Sequence, residues 1–190
     1  MAGRPLAVPG AVVANVVATP APRSNEFVDI VNEHDDVIAT VARRVMRAHT
    51  LRHRMVGIIV RSSTGSVLVH QRAANKDVWP SMWDVMGGGV VSAGETYEFA
   101  ARRELNEEIG VDAPLRYVLG GTFDNDDVHE IVRVFSAIHD GPFFFYDHEV
   151  VAAHFVSAAH LTEFVATHSV VPDSAHLIAM LGLIAISNDL

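Results

Sequence analysis

Three glutamates at helical contact spacing are the feature that most constrains how this chain can fold. Glu104, Glu107 and Glu108 stand at positions i, i+3 and i+4, so a helix brings these three glutamates within about one turn. Like charges at this spacing destabilise a helix by roughly 0.2–0.5 kcal/mol per pair. The fold must therefore offset the repulsion with neighbouring cations or with a bound metal ion.

Sequence signals on both sides predict where this helix begins and ends. It follows Glu95 and stops at Gly110, because glycine tolerates the left-handed conformation that closes a helix. Ala101, Leu105 and Ile109 form an apolar stripe beside the acids, so the helix can bury one side. Taken alone, the helix also fits an ordinary solvated acidic face balanced by arginines.

The glycines ahead of the helix favour a ligand site over a solvated face. Gly88 and Gly89 belong to a run of glycines that allows close backbone approach to a ligand and leaves carbonyl groups beside the acids. Hard divalent cations such as Mg²⁺ prefer oxygen ligands and share substrate phosphates. A bound cation would turn the crowding of the carboxylates into an attraction.

The stretch from Gly89 to Val111 resembles the box that defines the Nudix family. With U for an aliphatic residue, that box is Gly-x5-Glu-x7-Arg-Glu-U-x-Glu-Glu-x-Gly-U, and every specified position matches. A pattern with fixed identities and fixed gaps is far more specific than a lone glycine motif. Upstream, VDIVNEHDDVIATVARR and HQRAANKDVWPSMWD are similar to the branch that contains isopentenyl-diphosphate isomerase.

The resemblance implies a hydrolase that cleaves the diphosphate linkage in a nucleoside diphosphate linked to another moiety, or in a related organic pyrophosphate. It implies Mg²⁺ as the cofactor, with Mn²⁺ as an alternative. By position, Glu104, Glu107 and Glu108 are the expected metal ligands. Catalytic roles are expected for Arg103, Glu104 and Glu107, with Arg103 orienting a glutamate. Glu104 can be a ligand or the group that orients or deprotonates water, and the box leaves these roles open.

The same resemblance assigns supporting roles outside the three acids. Gly89, Glu95 and Gly110 are expected to maintain the loop–helix geometry, and a carbonyl of Gly88 or Gly89 completes the metal shell. Because the family often supplies another acid from a later loop, Glu149 is the candidate for that role. An ordinary exposed glutamate is the alternative at that position.

The order of elements predicts an α/β fold, and the resemblance implies a Nudix-type α/β/α sandwich with a mixed β-sheet and the box as a loop–helix–loop. We expect residues 1–25 to be a flexible extension and residues 26–190 to form the domain. Residues 62–66 read as the turn of a hairpin. Asp173 or Ser174 is the predicted N-cap of the last helix.

Composition limits the expected binding partners and the alternative functions. The formal net charge of −9 disfavours a nucleic acid polymer, which leaves a small-molecule diphosphate as the expected substrate. We expect no membrane association and a cytoplasmic location, and a homodimer is common among such domains. The chain has no cysteine, whereas isomerase chemistry is associated with a cysteine acid/base partner. Isopentenyl-diphosphate isomerisation and a noncatalytic nucleotide-sensing module are the two alternative functions.

Overall fold

The structure is a computed structural model that describes residues 11–12, 26–145 and 148–184, with side chains for 26–145 and 148–181. The predicted flexible extension at 1–25 therefore lies outside the described residues, apart from the backbone of Ala11–Val12. No helix in the described part of the chain is long and apolar enough to cross a membrane.

Ten strands and four α-helices make up the described part of the chain. The strands are β1 (Ala11–Val12), β2 (Phe27–Val31), β3 (Val37–Ala42), β4 (His53–Arg61), β5 (Val67–Arg72), β6 (Trp83–Asp84), β7 (Gly87–Val90), β8 (Arg116–Asp124), β9 (His129–Ile138) and β10 (Val150–Val156). The helices are α1 (Arg43–Ala48), α2 (Tyr97–Ile109), α3 (Leu161–Thr167) and α4 (Pro172–Ile184).

Strand β4 organises the sheet. One edge of β4 pairs in parallel with β9 from His53 to Arg61, while Met55 to Ile58 pair antiparallel with β7 on the other edge. The glycines of β7 therefore lie beside a largely buried strand of the sheet. Parallel and antiparallel pairs together make the sheet mixed, as the sequence predicts.

Helices cover both faces of this sheet. On one face, Leu105 and Ile109 of α2 pack with Val56 and Ile58 of β4. On the other face, the apolar side chains of α3 and α4 pack with strand residues such as Ile59. This arrangement confirms the predicted α/β/α sandwich, because burying each helix stripe against the sheet removes apolar area from water.

The predicted hairpin around residues 62–66 is wrong in its extent. The turn forms, but β4 and β5 pair only between Arg61 and Val67. Beyond that pair, β7 takes the edge of β4 from Met55 to Ile58, and β6 takes the edge of β5 that β4 leaves, while β10 pairs with the other edge of β5. The sequence shows two extended runs and a turn, but not the strand that competes for the edge.

The predicted N-cap of the last helix is also wrong. Helix α4 begins at Pro172, so Asp173 and Ser174 lie within its first turn. Proline suits the first helical position because its ring holds φ near the helical value. The Ser174 hydroxyl donates a hydrogen bond to Asp84 Oδ1 at 2.5 Å, which directs it toward the sheet.

Candidate functional site

Local capping fixes the helix that carries the box glutamates. The Thr96 side chain accepts a hydrogen bond from the Phe99 backbone N–H at 3.2 Å, which caps the start of α2. Gly110 has φ of 70° and donates its N–H to the carbonyls of Leu105 and Asn106, so it closes the helix as predicted. Caps at both ends fix the extent of α2, the helix that carries the three carboxylates.

The glycine strand lies directly against two of these carboxylates. The Gly88 backbone N–H donates a hydrogen bond to Glu108 Oε2 at 2.6 Å. A Cβ at Gly89 would lie 2.6 Å from Glu104 Oε1, and a Cβ at Gly87 would lie 2.4 Å from Ile109 Cδ1. Bare Cα atoms are therefore what allow α2 to lie close to β7 with its acids buried between them.

We expect Gly89→Ala to displace the Glu104 carboxylate. The added methyl group overlaps a buried side chain, and such overpacking costs about 1–3 kcal/mol of unfolding free energy. Urea unfolding and calorimetric Mg²⁺ titration measure the two effects, and weaker metal binding should accompany the lost stability. Gly121→Ala is the matched control, because a Cβ there meets no atom within 4 Å. Equal behaviour of the two variants would contradict the close-approach argument.

Arg103 connects the box acids to the loop before the helix. Its guanidinium donates to Glu95 at 2.8 and 2.9 Å, to Glu104 at 2.6 Å and to Glu107 at 3.2 Å, and it also reaches the Val90 carbonyl at 3.3 Å. These hydrogen bonds, above all those to Glu95, raise the pKa of Arg103. Burial alone would raise the pKa of Glu95, but hydrogen bonds from Arg103 and the Ser92 N–H outweigh it and lower that pKa. One arginine therefore offsets much of the repulsion within α2.

The box glutamates differ sharply in exposure. The side chains of Glu104 and Glu108 are 2% and 3% exposed, whereas that of Glu107 is 48% exposed. Burial disfavours a charged carboxylate unless a cation or hydrogen bonds compensate it. Glu104 and Glu108 are therefore held in fixed positions, while Glu107 can reach a ligand from the solvent side.

The structure brings Glu149 to the box acids. The ammonium group of Lys76 forms an ion pair with Glu149 Oε2 and lies 3.7 Å from Glu108 Oε1. The Ala73 N–H donates to the Glu149 carbonyl at 2.8 Å, which ties the loop after β5 to the segment before β10. Glu149 is thus part of the same charged cluster rather than an isolated surface glutamate.

The carboxylates are chemically suited to a hard metal ion, but cations of the protein balance them in this structure. Among the side chains of residues 26–145 and 148–181, no three histidine, aspartate or glutamate groups form an arrangement that could hold a metal ion. Arg103 contacts two of the box glutamates, and Lys76 lies against the third. The donor set fits Mg²⁺ because it consists of carboxylate oxygens whose positions already attract positive charge.

A chamber next to the glycine strand contains charged residues that sequence reasoning missed. This cation chamber is lined by Arg43, Arg47, Arg72 and Lys76, by both Gly88 and Gly89, and by the acids Asp77, Asp84 and Asp173. Glu130 also lines it, and its Oε2 is buried without a hydrogen-bond partner among the described atoms. Buried polar atoms normally have partners, so this oxygen is suited to a donor group on a ligand. The arginines of α1 looked like ordinary helix residues in the sequence, because only the fold brings α1 to β7.

An apolar groove lies between β8, β9 and α4 and shares two lining residues with the cation chamber. Met86 and Asp173 line both cavities, and the groove is otherwise lined by Leu119, Gly121, Thr122, Phe123, Val132, Val134, His176, Leu177 and Met180. Burial and the nearby carboxylates of Asp84 and Glu130 raise the pKa of Asp173. The junction between the cavities therefore favours a protonated carboxyl group, which can donate a hydrogen bond.

Comparison with known proteins identifies related sequences over most of the domain. The NUDIX domain model matches residues 51–181. The uncharacterized Nudix hydrolase YfcD of Salmonella typhi is 43% identical over 129 residues, which cover 67% of this chain and 70% of that protein. The uncharacterized Nudix hydrolase PA4841 of Pseudomonas aeruginosa is 36% identical over 132 residues, covering 69% of this chain and 78% of the relative.

A solved structure shares the fold. The crystal structure of DR0079 from Deinococcus radiodurans has a TM-score of 0.70 and 28% sequence identity to this chain. The match covers 82% of this chain and 98% of that protein. The strand and helix arrangement described above is therefore found in an experimentally determined relative.

Proposed function

The chain belongs to the Nudix hydrolase family, and we propose that it uses a divalent metal to hydrolyse the diphosphate linkage of a nucleoside diphosphate joined to another moiety, or of a related organic pyrophosphate. The observation that carries this proposal is the buried placement of Glu104 and Glu108 against the glycine strand. A solvated acidic face would not bury two carboxylates at this cost. Burial with compensating cations is typical of a site built for charge.

The metal that best suits these ligands is Mg²⁺, with Mn²⁺ as the alternative. Glu104, Glu107, Glu108 and a carbonyl of Gly88 or Gly89 would hold it, with Glu149 as an additional acid. When bound, a divalent ion neutralises phosphate oxygens and lowers the pKa of water. Oxygen ligands and retained waters are characteristic of Mg²⁺ sites.

The protein's own residues position the reacting groups. The Arg103 hydrogen bond at 2.6 Å fixes the direction of the Glu104 carboxylate, so Glu104 can either orient water or take its proton. The cations of the chamber pair with Asp77, Asp84 and Glu149 in this structure and would also contact the diphosphate, whose charge the box glutamates alone would repel. Water attacks phosphorus, the bond to the leaving phosphate oxygen breaks, and that oxygen retains the bonding electron pair.

The apolar groove supports a substrate whose second moiety is partly apolar or aromatic. Met86 and Asp173 line both the cation chamber and the groove, so a diphosphate in the chamber could extend its other end toward the groove. Apolar contact there would supply binding energy remote from the reacting phosphorus. The Asp173 carboxyl group at the junction could donate to an acceptor on that moiety.

We expect Gly121→Leu to discriminate between substrates by the size of this second moiety. Gly121 lines the groove, and a Cβ there meets no atom within 4 Å, so a leucine side chain can start from this position without a clash at its first atom. The value of kcat/KM should fall at least tenfold for a diphosphate with a bulky second group, but less than threefold for methyl diphosphate. Ala39→Leu, which adds bulk on exposed strand β3, is the control. Equal losses for both substrates would contradict the groove assignment.

A substrate panel tests the proposed activity. Dinucleotides, nucleotide sugars, nucleoside triphosphates and prenyl diphosphates are incubated with Mg²⁺, with Mn²⁺ or with a chelator, and phosphate and nucleoside monophosphate are measured. Metal-dependent release from at least one class supports the proposal. Conversion of isopentenyl to dimethylallyl diphosphate would favour the isomerase alternative. Saturable binding without any turnover would favour the sensing module.

Assembly and location stay predictions. Light scattering coupled to size-exclusion chromatography measures the mass in solution and tests the homodimer. The cytoplasmic location is tested by fractionating cells of the source organism and detecting the protein with an antibody.

A further inference from the structure

Lys76 is the only lysine in the chain, which otherwise takes its positive charge from arginine. It lies in the loop between β5 and β6, where its ammonium group contacts Glu149 and lies 3.7 Å from Glu108. Its side chain is 13% exposed, and that of Glu108 is 3% exposed. The single lysine is thus placed between Glu108, which is buried, and Glu149.

A second cation, Arg72, fixes the loop that carries Lys76. Arg72 donates to the carbonyls of Val78 and Trp79 at 3.0 and 3.3 Å, and it pairs with Asp84 at 3.3 Å. Trp79 and Ser81 have φ of 49° and 62°, in the left-handed region that non-glycine residues seldom adopt. Because Arg72 fixes this irregular loop, the fold sets the backbone position from which the Lys76 side chain reaches the two carboxylates.

The chemistry of lysine explains why arginine would not serve here. An ammonium group is a compact, strongly hydrated point charge, whereas guanidinium is a planar fork that prefers two-point contact. A compact charge between two carboxylates resembles a metal cation in charge placement. It can also leave readily, because a flexible stem of four methylene groups carries it.

We propose that Lys76 is the counter-cation of the Glu108–Glu149 pair, holding the two carboxylates together until a divalent cation takes its place. The inference rests on the proposed function of these acids as metal ligands. Metal binding then requires the ammonium group to withdraw, so Lys76 lowers the affinity for metal. In return, Lys76 prevents two close carboxylates from repelling each other when metal is absent.

Calorimetric titration with Mn²⁺ and Mg²⁺ tests the competition in the full-length protein without substrate. Lys76→Met should tighten metal binding at least tenfold, because the acids then lack a competing cation. Arg102→Met removes the same charge from the exposed face of α2 and should leave the affinity within twofold of the wild type. Metal binding that calorimetry detects for Lys76→Met but not for the wild type also supports the proposal. Unchanged or weaker binding by Lys76→Met, or binding by neither protein, would overturn it.

The single lysine also provides a direct spectroscopic test. In protein grown with ¹³C-labelled lysine, one side-chain Cε resonance reports on Lys76. Saturating Mg²⁺ should shift this resonance along a curve with the same Kd as calorimetry, and Glu149→Gln should shift it in the absence of metal. If this resonance does not shift with Mg²⁺ although calorimetry records binding, the proposed replacement of the ammonium group by metal is overturned. These measurements need no turnover, so a failed substrate panel would count against the proposed function and not against this inference.

Discussion

Glu108→Gln should lower kcat by about a hundredfold or more. Even mutation of a residue that only hydrogen-bonds to a metal ligand typically lowers metal affinity or activity by about 10–100-fold. Glutamine keeps the size of the side chain and an oxygen that can accept the Gly88 N–H, now bonded at 2.6 Å. The charge needed for metal is lost, while the hydrogen bond between α2 and β7 can remain. Steady-state kinetics across a range of Mg²⁺ concentrations, with the substrate found in the panel, measures the loss.

Two controls separate a lost metal ligand from a damaged fold. Glu98→Gln makes the same chemical change at an exposed position in the first turn of α2 and should retain wild-type kinetics. Urea unfolding of Glu108→Gln should show a stability close to that of the wild type. Activity of Glu108→Gln within threefold of the wild type would remove Glu108 from the proposed ligand set.

Arg103→Met should produce the largest loss of stability, about 3–5 kcal/mol of unfolding free energy, which is typical of breaking a buried ion pair on one side. The Glu104 carboxylate, 2% exposed, loses the guanidinium that bonds it at 2.6 Å. Glu95 loses two further hydrogen bonds from the same group. Urea unfolding at neutral pH measures the change, with exposed Arg102→Met as the matched control.

The pH dependence of this loss follows from Glu95. Because the folded pKa of Glu95 is lowered, its contribution to stability is present above the ordinary glutamate pKa and disappears as pH falls through the folded value. The difference in unfolding free energy between the wild type and Arg103→Met should therefore be largest near neutral pH and should become smaller below about pH 4. A difference that stays constant from pH 7 to pH 3 would contradict this ion-pair explanation.

The box helix could be predicted because its signals are local. Glu104, Glu107 and Glu108 share one side of any helix that contains them, and Gly110 closes that helix through its own backbone conformation. Glu95 was expected to support the loop–helix geometry, and in the structure it pairs with Arg103, eight residues later in the sequence. Interactions within about two helical turns depend on spacing, which the sequence contains.

Other parts of the site depend on contacts between distant segments. Lys76 reached the box because β5 turns away from β4 and carries its following loop beside Glu149. The predicted cap at Asp173 or Ser174 failed because Pro172 begins the helix and Asp84 takes the Ser174 hydroxyl. Neither result follows from neighbours along the chain.

The sequence by itself determined the family, the helix with its three acids and the need for glycine beside them, since these rest on residue types at fixed short spacings. Only the tertiary structure decided which cations balance the acids, where Glu149 lies, and which residues line both the cation chamber and the apolar groove. The physical reason is that sheet pairing sets these positions. The register of β4 with β7 and β9 brings together side chains whose separation along the chain carries no information about their distance in space.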